Sequence, residues 1–191
     1  MFNETLIKDW RHLWGRDLPF YFCQLAAHGK GSGNLPQTRE MQTEALKLPN
    51  TGMAVTIDIG DPTDVHPHNK QDVGARLARI ALAKDYGKPV EYTGPVYEGM
   101  SVEGNAVRLK FSHAAGGLVA KGGPLKTFEV AGADGKYVPA EAKIDGDEVV
   151  VTGPDGTAPK AVRYAWSPYA EGCNFTNAAG LPAAPFRTDK K

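Results

Sequence analysis

The sequence lacks the features that mark nucleic-acid-binding proteins and membrane proteins. Its 191 residues include 22 basic and 22 acidic side chains, so the formal net charge is zero. A nucleic-acid-binding protein usually has a basic excess, and a protein held at a membrane surface usually has a polybasic segment. No apolar run approaches the roughly 20 residues that a membrane-spanning helix needs. We therefore expect neither nucleic acid nor a membrane as a partner.

Cysteine and serine are scarce as well. The two cysteines, Cys23 and Cys173, lie far apart without metal-ligand spacing, and the apolar run around Cys23 favours a buried free thiol over a disulfide or a nucleophile. None of the serines follows the strand–turn–helix pattern of a nucleophile elbow. Ser32 comes nearest, but it lies in the glycine-rich segment 29–33, which indicates a flexible connector. The full set of serines is Ser32, Ser101, Ser112 and Ser167.

The first part of the chain alternates between helix and strand patterns. Because helices and strands take turns, the pattern predicts parallel strands joined by crossover helices. Asn69 is placed to cap the last helix, with Asp72 three residues later. The predicted elements are helices over 2–14, 39–48 and 69–86 and strands over 18–25 and 53–59.

After Pro89 the pattern changes to short alternating runs separated by Asp-Gly and Gly-Asn turns, which are typical of hairpins. This part predicts an antiparallel β-sandwich. We therefore divide the chain into a unit over 1–88 and a unit over 95–191. The predicted strand runs are 101–102, 106–111, 128–131, 148–151 and 161–166.

Segment 58–70 has the most unusual composition, with three acids and two histidines between a predicted strand and a capped helix. In open α/β sheets, ligands and catalytic groups gather at the carboxyl ends of the strands. Three interpretations remain open from the residues alone. His66 is the general base of a hydrolytic triad supported by a carboxylate, or His66 and His68 bind a metal with Asp61 or Asp64, or these side chains cap turns and face solvent.

Several motifs, in order along nearly the whole chain, resemble the sialate O-acetylesterase family, which are serine hydrolases of the SGNH (GDSL) type. The strongest are Asp-Ile-Gly-Asp at 58–61, Val-His-Pro at 65–67 and Val-Gly at 73–74. Further matches are Thr38-Arg39-Glu40 with Gln42, the segments 18–25 and 48–56, and C-terminal segments at 117–119, 128–132, 162–166 and 180–188.

The resemblance implies a flavodoxin-like α/β/α layer with an added β domain, and removal of acetyl groups from sugars through an acyl-enzyme on serine. It implies no cofactor and no metal. It also implies that His66 is the catalytic histidine. The usual acid of SGNH enzymes lies three residues earlier, which here is Thr63. We expect Asp64 to serve instead, because residues two apart on an extended segment point to the same side; Asp58 and Asp61 remain alternatives.

The serine of the family comes from the first half of the α/β domain, which has no match here. The chain therefore resembles the C-terminal part of an esterase, and by itself we expect it to be inactive and to need the upstream half or a second copy. The chain itself does not reveal its localisation, and the resemblance implies a secreted or periplasmic protein. The rival interpretation is a non-catalytic sugar-binding or structural β-sandwich module. It would use exposed aromatic side chains, for which the candidates are Tyr92, Tyr97, Tyr137, Trp166 and Tyr169.

Overall fold

Two parallel strands and three helices form the N-terminal part of the structure, a computed structural model that describes residues 2–29, 33–114, 116–154, 156 and 158–189. The strands β1 and β2 pair in parallel, with Phe20 opposite Thr51 and Cys23 opposite Ala54. This confirms the predicted parallel arrangement. The helices and strands are α1 (Phe2–Trp14), β1 (Phe20–Cys23), α2 (Leu35–Glu44), β2 (Thr51–Ala54) and α3 (Lys70–Lys84), with 3₁₀ turns at Ala45–Lys47 and Ile57–Ile59.

Antiparallel strands dominate the rest of the chain. One four-stranded sheet has the order β3-β4-β9-β8, a second has the order β12-β10-β6-β7, and β11 pairs with β5. The fold is thus mixed α/β followed by a β-rich region. The strands are β3 (Val96–Glu103), β4 (Ala106–Ser112), β5 (Leu118–Ala120), β6 (Phe128–Ala131), β7 (Tyr137–Pro139), β8 (Glu141–Asp145), β9 (Glu148–Thr152), β10 (Ala161–Tyr164), β11 (Phe175–Asn177) and β12 (Phe186–Arg187).

One apolar core joins the two large antiparallel sheets and continues under the N-terminal part. Val107 and Val151 of one sheet, Val162 and Tyr164 of the other, and Ile57 from the N-terminal part belong to the same buried cluster. Each of these side chains is almost fully removed from water. Burial of this kind is the main stabilising contribution to a fold. The division into units 1–88 and 95–191 stays a prediction, since the core is shared.

Several predicted elements differ from the observed ones. Helix α2 begins at Leu35 rather than at residue 39, because Pro36 fits the first turn of a helix, where its missing N–H costs nothing. The predicted strand 53–59 ends at Ala54, and Ile57–Ile59 is a 3₁₀ turn. The hydroxyl of Thr56 donates to Gln24 O at 2.6 Å, which fixes the chain where it leaves the strand. Among the described helices, none is long and apolar enough to cross a membrane.

The prediction for Cys23 is half wrong. Its thiol is free, as expected, but the residue is exposed rather than buried. The reason is that β1 pairs only with β2, so its other edge has no neighbouring strand among the described residues. Cys173, by contrast, is partly buried, and its thiol donates to Ile57 O at 3.5 Å.

Candidate active site

The segment with three acids and two histidines follows β2 and leads into α3, as the sequence predicts. Asn69 caps α3, and its Oδ1 accepts a hydrogen bond from Asp72 N at 3.0 Å. The segment after β1 lies beside it, because His28 and Asp61 form a parallel bridge and Gly29 N donates to Pro62 O at 3.2 Å. The candidate side chains therefore lie where the chain leaves the two parallel strands.

Asp58 is committed to a structural ion pair. Its Oδ1 lies 2.6 Å from Arg76 Nη1 and its Oδ2 lies 2.7 Å from Arg76 Nη2. Arg76 is 7% exposed and also donates to Val55 O at 2.6 Å. A two-point contact of this geometry is the strong form of an arginine–carboxylate pair. Asp58 thus connects the end of β2 to α3.

Asp61 shapes the turn that precedes the histidine. One oxygen, Oδ1, accepts hydrogen bonds from Thr63 N and Thr63 Oγ1, both at 2.7 Å, and from Asp64 N at 3.1 Å. These bonds, first that of the Thr63 hydroxyl, hold the pKa of Asp61 below its ordinary value. This is the pattern of an Asx turn, in which a side-chain oxygen fixes the following backbone.

Asp64 is the acid that contacts His66. Its Oδ1 lies 3.0 Å from His66 Nδ1 and also accepts a hydrogen bond from His66 N at 2.8 Å. The bond from the His66 amide, followed by that of the imidazole, lowers the pKa of Asp64. Asp64 therefore stays a carboxylate at neutral pH. A carboxylate at Nδ1 favours the tautomer with the proton on Nδ1 and leaves the Nε2 lone pair to accept one.

The imidazole of His66 is open to solvent. Its side chain is 79% exposed, and that of Asp64 is 46% exposed. His68 Nε2 lies 3.8 Å from the other carboxylate oxygen of Asp64. Within the described residues, no three His, Cys, Asp or Glu side chains are grouped so that they could hold a metal ion.

None of the contacts found for His66 joins it to one of the described serines. Ser101 lies in β3 and Ser112 in β4, whereas the backbone carbonyl of Ser167 accepts a hydrogen bond from Arg39. Ser32, the nearest candidate from the sequence, lies outside the described residues. Among the described residues, the partner given for a hydrogen bond of the His66 ring is Asp64.

A buried arginine that sequence analysis did not single out organises the neighbourhood of the site. Arg39 has no exposed surface and donates to four carbonyl oxygens at 2.7–2.8 Å, those of Leu25, Ala26, Ser167 and Pro168. It joins the segment after β1 to the C-terminal part of the chain. Burial lowers the pKa of Arg39 to about 10, which still leaves it charged at neutral pH. The sequence feature that could have identified Arg39 is its place in the Thr38-Arg39-Glu40 motif.

A polar cleft of about 650 Å³ borders the segment between β2 and α3. It lies between α3 and the chain around residues 173–181, and His66 does not line it. Charged groups and side-chain amides make up much of its wall. They include Asp58, Asn69, Arg76, Arg79, Lys121 and Asn174.

The aromatic side chains considered for sugar stacking are largely occupied. Tyr97 stacks on Phe186, with ring centres 4.9 Å apart. The Arg163 guanidinium lies 3.6 Å from the centre of the Tyr137 ring, and Arg187 lies 5.3 Å from that of Trp166. The rings of Tyr92 and His113 contact each other edge to face, and Tyr169 packs against the core. These contacts therefore do not favour a surface of free aromatic rings on which a sugar could stack.

Comparison with solved structures finds a close structural relative. A carbohydrate acetylesterase from Xanthomonas citri superposes with a TM-score of 0.92 and 42% sequence identity over 98% of this chain. The match spans 45% of the length of the Xanthomonas chain. No family model matches the sequence. No curated protein matches it either.

Proposed function

We propose that this chain contributes a general base, His66, and its supporting carboxylate, Asp64, to a serine-type carbohydrate O-acetylesterase of the sialate O-acetylesterase family. The observation that carries the proposal is the 3.0 Å contact between Asp64 Oδ1 and His66 Nδ1. The acetylesterase activity named for the Xanthomonas relative supports the reaction class. Of the three candidate acids, Asp58 is paired with Arg76 and Asp61 bonds its own turn, which favours Asp64.

In the proposed reaction a serine hydroxyl gives its proton to His66 Nε2 while its oxygen attacks the acetyl carbonyl carbon. Asp64 accepts the hydrogen bond from Nδ1–H and stabilises the imidazolium that forms. Collapse of the tetrahedral intermediate breaks the bond to the sugar oxygen, which takes the proton from Nε2. Water then hydrolyses the acetyl-serine by the same proton transfers, which releases acetate and restores the serine.

The proposal extends to the fold and to the serine. We assign residues 1–88 to the C-terminal half of an SGNH-type α/β/α layer and residues 95–191 to a β-sandwich. The parallel β1–β2 pair supports the first assignment, and the shared core of the two large antiparallel sheets supports the second. The serine would belong to polypeptide equivalent to the part of the Xanthomonas chain that this chain does not cover.

An acetylated sugar is the proposed substrate. The cleft beside Asp58 and Asn69 has side-chain amides and charges on its wall, and such groups can hydrogen-bond sugar hydroxyls. It opens next to the segment that carries His66, so further units of a sugar chain could lie in it while the acetyl group is at the histidine. Asn174 and Lys121 are the residues of the β-rich region to vary first.

Kinetics of four variants test the assignment, measured with an aryl acetate and an acetylated sugar on the assembled enzyme that contains this chain. We expect His66→Ala to lower kcat by about four to six orders of magnitude, and Asp64→Asn by about four. Asp58→Asn and Asp61→Asn should lower it by less than about tenfold beyond any loss of folded protein. Activity should persist in a chelator. Near-normal turnover of His66→Ala would refute the triad.

A further inference from the structure

Two buried arginines hold the two ends of the parallel strand pair. Where the chain leaves the strands, Arg39 has no exposed surface and donates to four backbone carbonyls. Where the chain enters them, Arg11 is 8% exposed and donates to three backbone carbonyls at 2.8–3.2 Å. The acceptors of Arg11 are Leu18 and Pro49 with Asn50, which precede β1 and β2 respectively. The same type of contact thus exists at both ends, so a comparison of the two can separate the loss of a buried arginine from an effect at one end.

Arg39 joins the β-rich region to the segment that follows β1. Its Nε donates to Leu25 O at 2.8 Å and its Nη2 to Ala26 O at 2.7 Å, both in that segment. Its Nη1 donates to Ser167 O at 2.8 Å and its Nη2 to Pro168 O at 2.7 Å, both in the β-rich region. A guanidinium presents its donors in a rigid plane, which the single ammonium of a lysine cannot reproduce. The distance between the two parts of the chain is therefore fixed in part by the shape of this side chain.

The segment after β1, residues 25–29, has further contacts around the same point. His28 N donates to Pro168 O at 3.1 Å, so this carbonyl accepts from both His28 and Arg39. The first backbone amide of the segment donates to Gln42 Oε1 at 2.8 Å. Gln42 belongs to α2, the helix that also carries Arg39. The segment is thus held from α2 and from the β-rich region, and the contacts converge on Arg39.

Segment 25–29 in turn supports the start of the loop that carries the candidate residues. Three backbone contacts join it to residues 60–62. They are the close approach of Gly60 to Ala27, the parallel bridge of His28 with Asp61, and the hydrogen bond from Gly29 N to Pro62 O at 3.2 Å. A shift of the segment must therefore shift this part of the loop as well.

Hydrogen bonds continue from these contacts to the imidazole of His66. Asp61 Oδ1 accepts from Asp64 N at 3.1 Å, and Asp64 Oδ1 accepts from His66 N at 2.8 Å. The same oxygen of Asp64 lies 3.0 Å from His66 Nδ1. Because the His66 side chain is 79% exposed, little packing is present among the described residues to orient the ring. The direction of the ring is therefore set by the loop.

We propose that Arg39 is a positioning residue for the esterase reaction. It anchors segment 25–29 to the β-rich region and thereby sets the direction in which the loop at 60–66 presents His66. The β-rich region is then part of the catalytic scaffold, since it supplies two of the carbonyls that hold Arg39. This inference rests on the proposed function, in which His66 Nε2 accepts the proton of a serine. A displacement of a catalytic group by about 1 Å can cost roughly 100-fold in rate.

Kinetics of the assembled enzyme that contains this chain provide the test, with Arg39→Lys and Arg11→Lys as a matched pair. Both variants keep the positive charge and lose the planar set of donors. We expect Arg39→Lys to lower kcat for an aryl acetate by about 10- to 100-fold per folded molecule and to change KM by less than about threefold. The reason is that a misplaced base weakens the transition state rather than the binding of a small ester. Arg11→Lys should leave kcat and KM within about threefold of the wild type.

Amide hydrogen exchange of this chain gives a second readout that does not depend on activity. The amides of His28 and Gly29 report on the end that Arg39 holds. The amide of Phe20, bonded at 2.9 Å to the carbonyl just before β2, reports on the end that Arg11 holds. We expect Arg39→Lys to speed exchange at His28 and Gly29 by at least about tenfold and at Phe20 by less than about threefold. Arg11→Lys should show the reverse.

A milder variant, Pro168→Gly, keeps the proposal testable if Arg39→Lys does not fold. It retains the guanidinium and frees the backbone at the carbonyl that Arg39 and His28 share. It should speed exchange at His28 and lower kcat in the same direction as Arg39→Lys. Circular dichroism gives the folded fraction of each variant.

The outcomes separate this inference from the proposed function. Equal losses of kcat in Arg39→Lys and Arg11→Lys would overturn the inference, and so would a rise in KM with kcat unchanged. A large loss in His66→Ala combined with normal turnover in Arg39→Lys would refute the inference alone and leave the proposed function standing. Near-normal turnover of His66→Ala would refute both, whatever Arg39→Lys does.

Discussion

Asp58 and Arg76 form a two-point ion pair that ties the end of the first sheet to α3, with both oxygen–nitrogen distances at 2.6–2.7 Å. The guanidinium side chain is 8% exposed and the carboxylate 22%. The arginine makes a third bond in the same place, since its Nη1 also donates to Val55 O. An acid held in this way has both oxygens engaged, which leaves Asp64 as the acid in contact with His66.

Loss of this pair should reduce stability rather than chemistry. We expect Arg76→Met to lower the free energy of unfolding by about 2–4 kcal/mol, because it leaves the partly buried carboxylate and a backbone carbonyl without their donor. Arg108 is the control. It pairs with Glu103, Asp145 and Glu148 on the exposed side of β4, where solvent screens the pairs, and Arg108→Met should cost much less than Arg76→Met. Urea denaturation measures both, and equal losses would contradict the assigned role of Arg76.

A second prediction concerns the close approach of Gly60 and Ala27. A Cβ at Gly60 would lie 2.1 Å from Ala27 O, so any side chain there must displace the segment that leads to Asp64 and His66. We expect Gly60→Ala to destabilise the fold by about 1–3 kcal/mol and to lower turnover further than that loss explains.

Gly74 is the matched control for Gly60. It lies within α3, and nothing is within 4 Å of the position that its Cβ would take. Gly74→Ala should stabilise the fold by about 0.5–1 kcal/mol, because glycine is a poor residue in a helix interior. If both alanine variants behaved alike in thermal melts and in turnover, the contact at Gly60 would have no special importance.

The parts of the fold that depend on local contacts could be predicted from the sequence. Asn69 and Asp72 lie three residues apart and together cap the start of α3. The Asp-Gly sequence at 145–146 marks the turn of the β8–β9 hairpin. The contact of Asp64 with His66 is also local, since an extended chain places residues two apart on one side. Its catalytic role stays a prediction.

The parts that depend on distant contacts could not be predicted. Ile57–Ile59 has the composition of a buried strand, but the bond from Thr56 to Gln24 O and the pairing of Asp58 with Arg76 make it a 3₁₀ turn. Strands β5 and β11 are three residues each and exist through their pairing over more than 50 residues. Arg39 is buried because carbonyls at Ser167 and Pro168 receive its guanidinium.

The two thiols should differ strongly in reactivity. Burial, and to a lesser extent the charge of Asp58, raises the pKa of Cys173 to about 12, so almost no thiolate is present at pH 8. Cys23 is exposed. We expect iodoacetamide at pH 8 to label Cys23 at least about 100-fold faster than Cys173, because the thiolate is the reactive form. Mass spectrometry of the peptides measures the two rates. They should become similar in denaturant, and similar rates in the folded protein would contradict the burial of Cys173.

The acids of the candidate site should respond to pH in a way that separates their roles. Hydrogen bonds hold the pKa values of Asp61 and Asp64 below their ordinary values, so folding favours the ionised forms. The resulting stabilisation is complete above the unfolded-state pKa of about 3.9, and it is lost as the pH falls through the lower folded-state values. Carboxyl-carbon NMR titration should therefore give midpoints below those of a 58–70 peptide. Thr63→Val removes a donor to Asp61 and should raise its midpoint alone, whereas His66→Ala should raise that of Asp64. A midpoint for Asp64 that His66→Ala leaves unchanged would contradict the acid–imidazole contact on which the proposed triad depends.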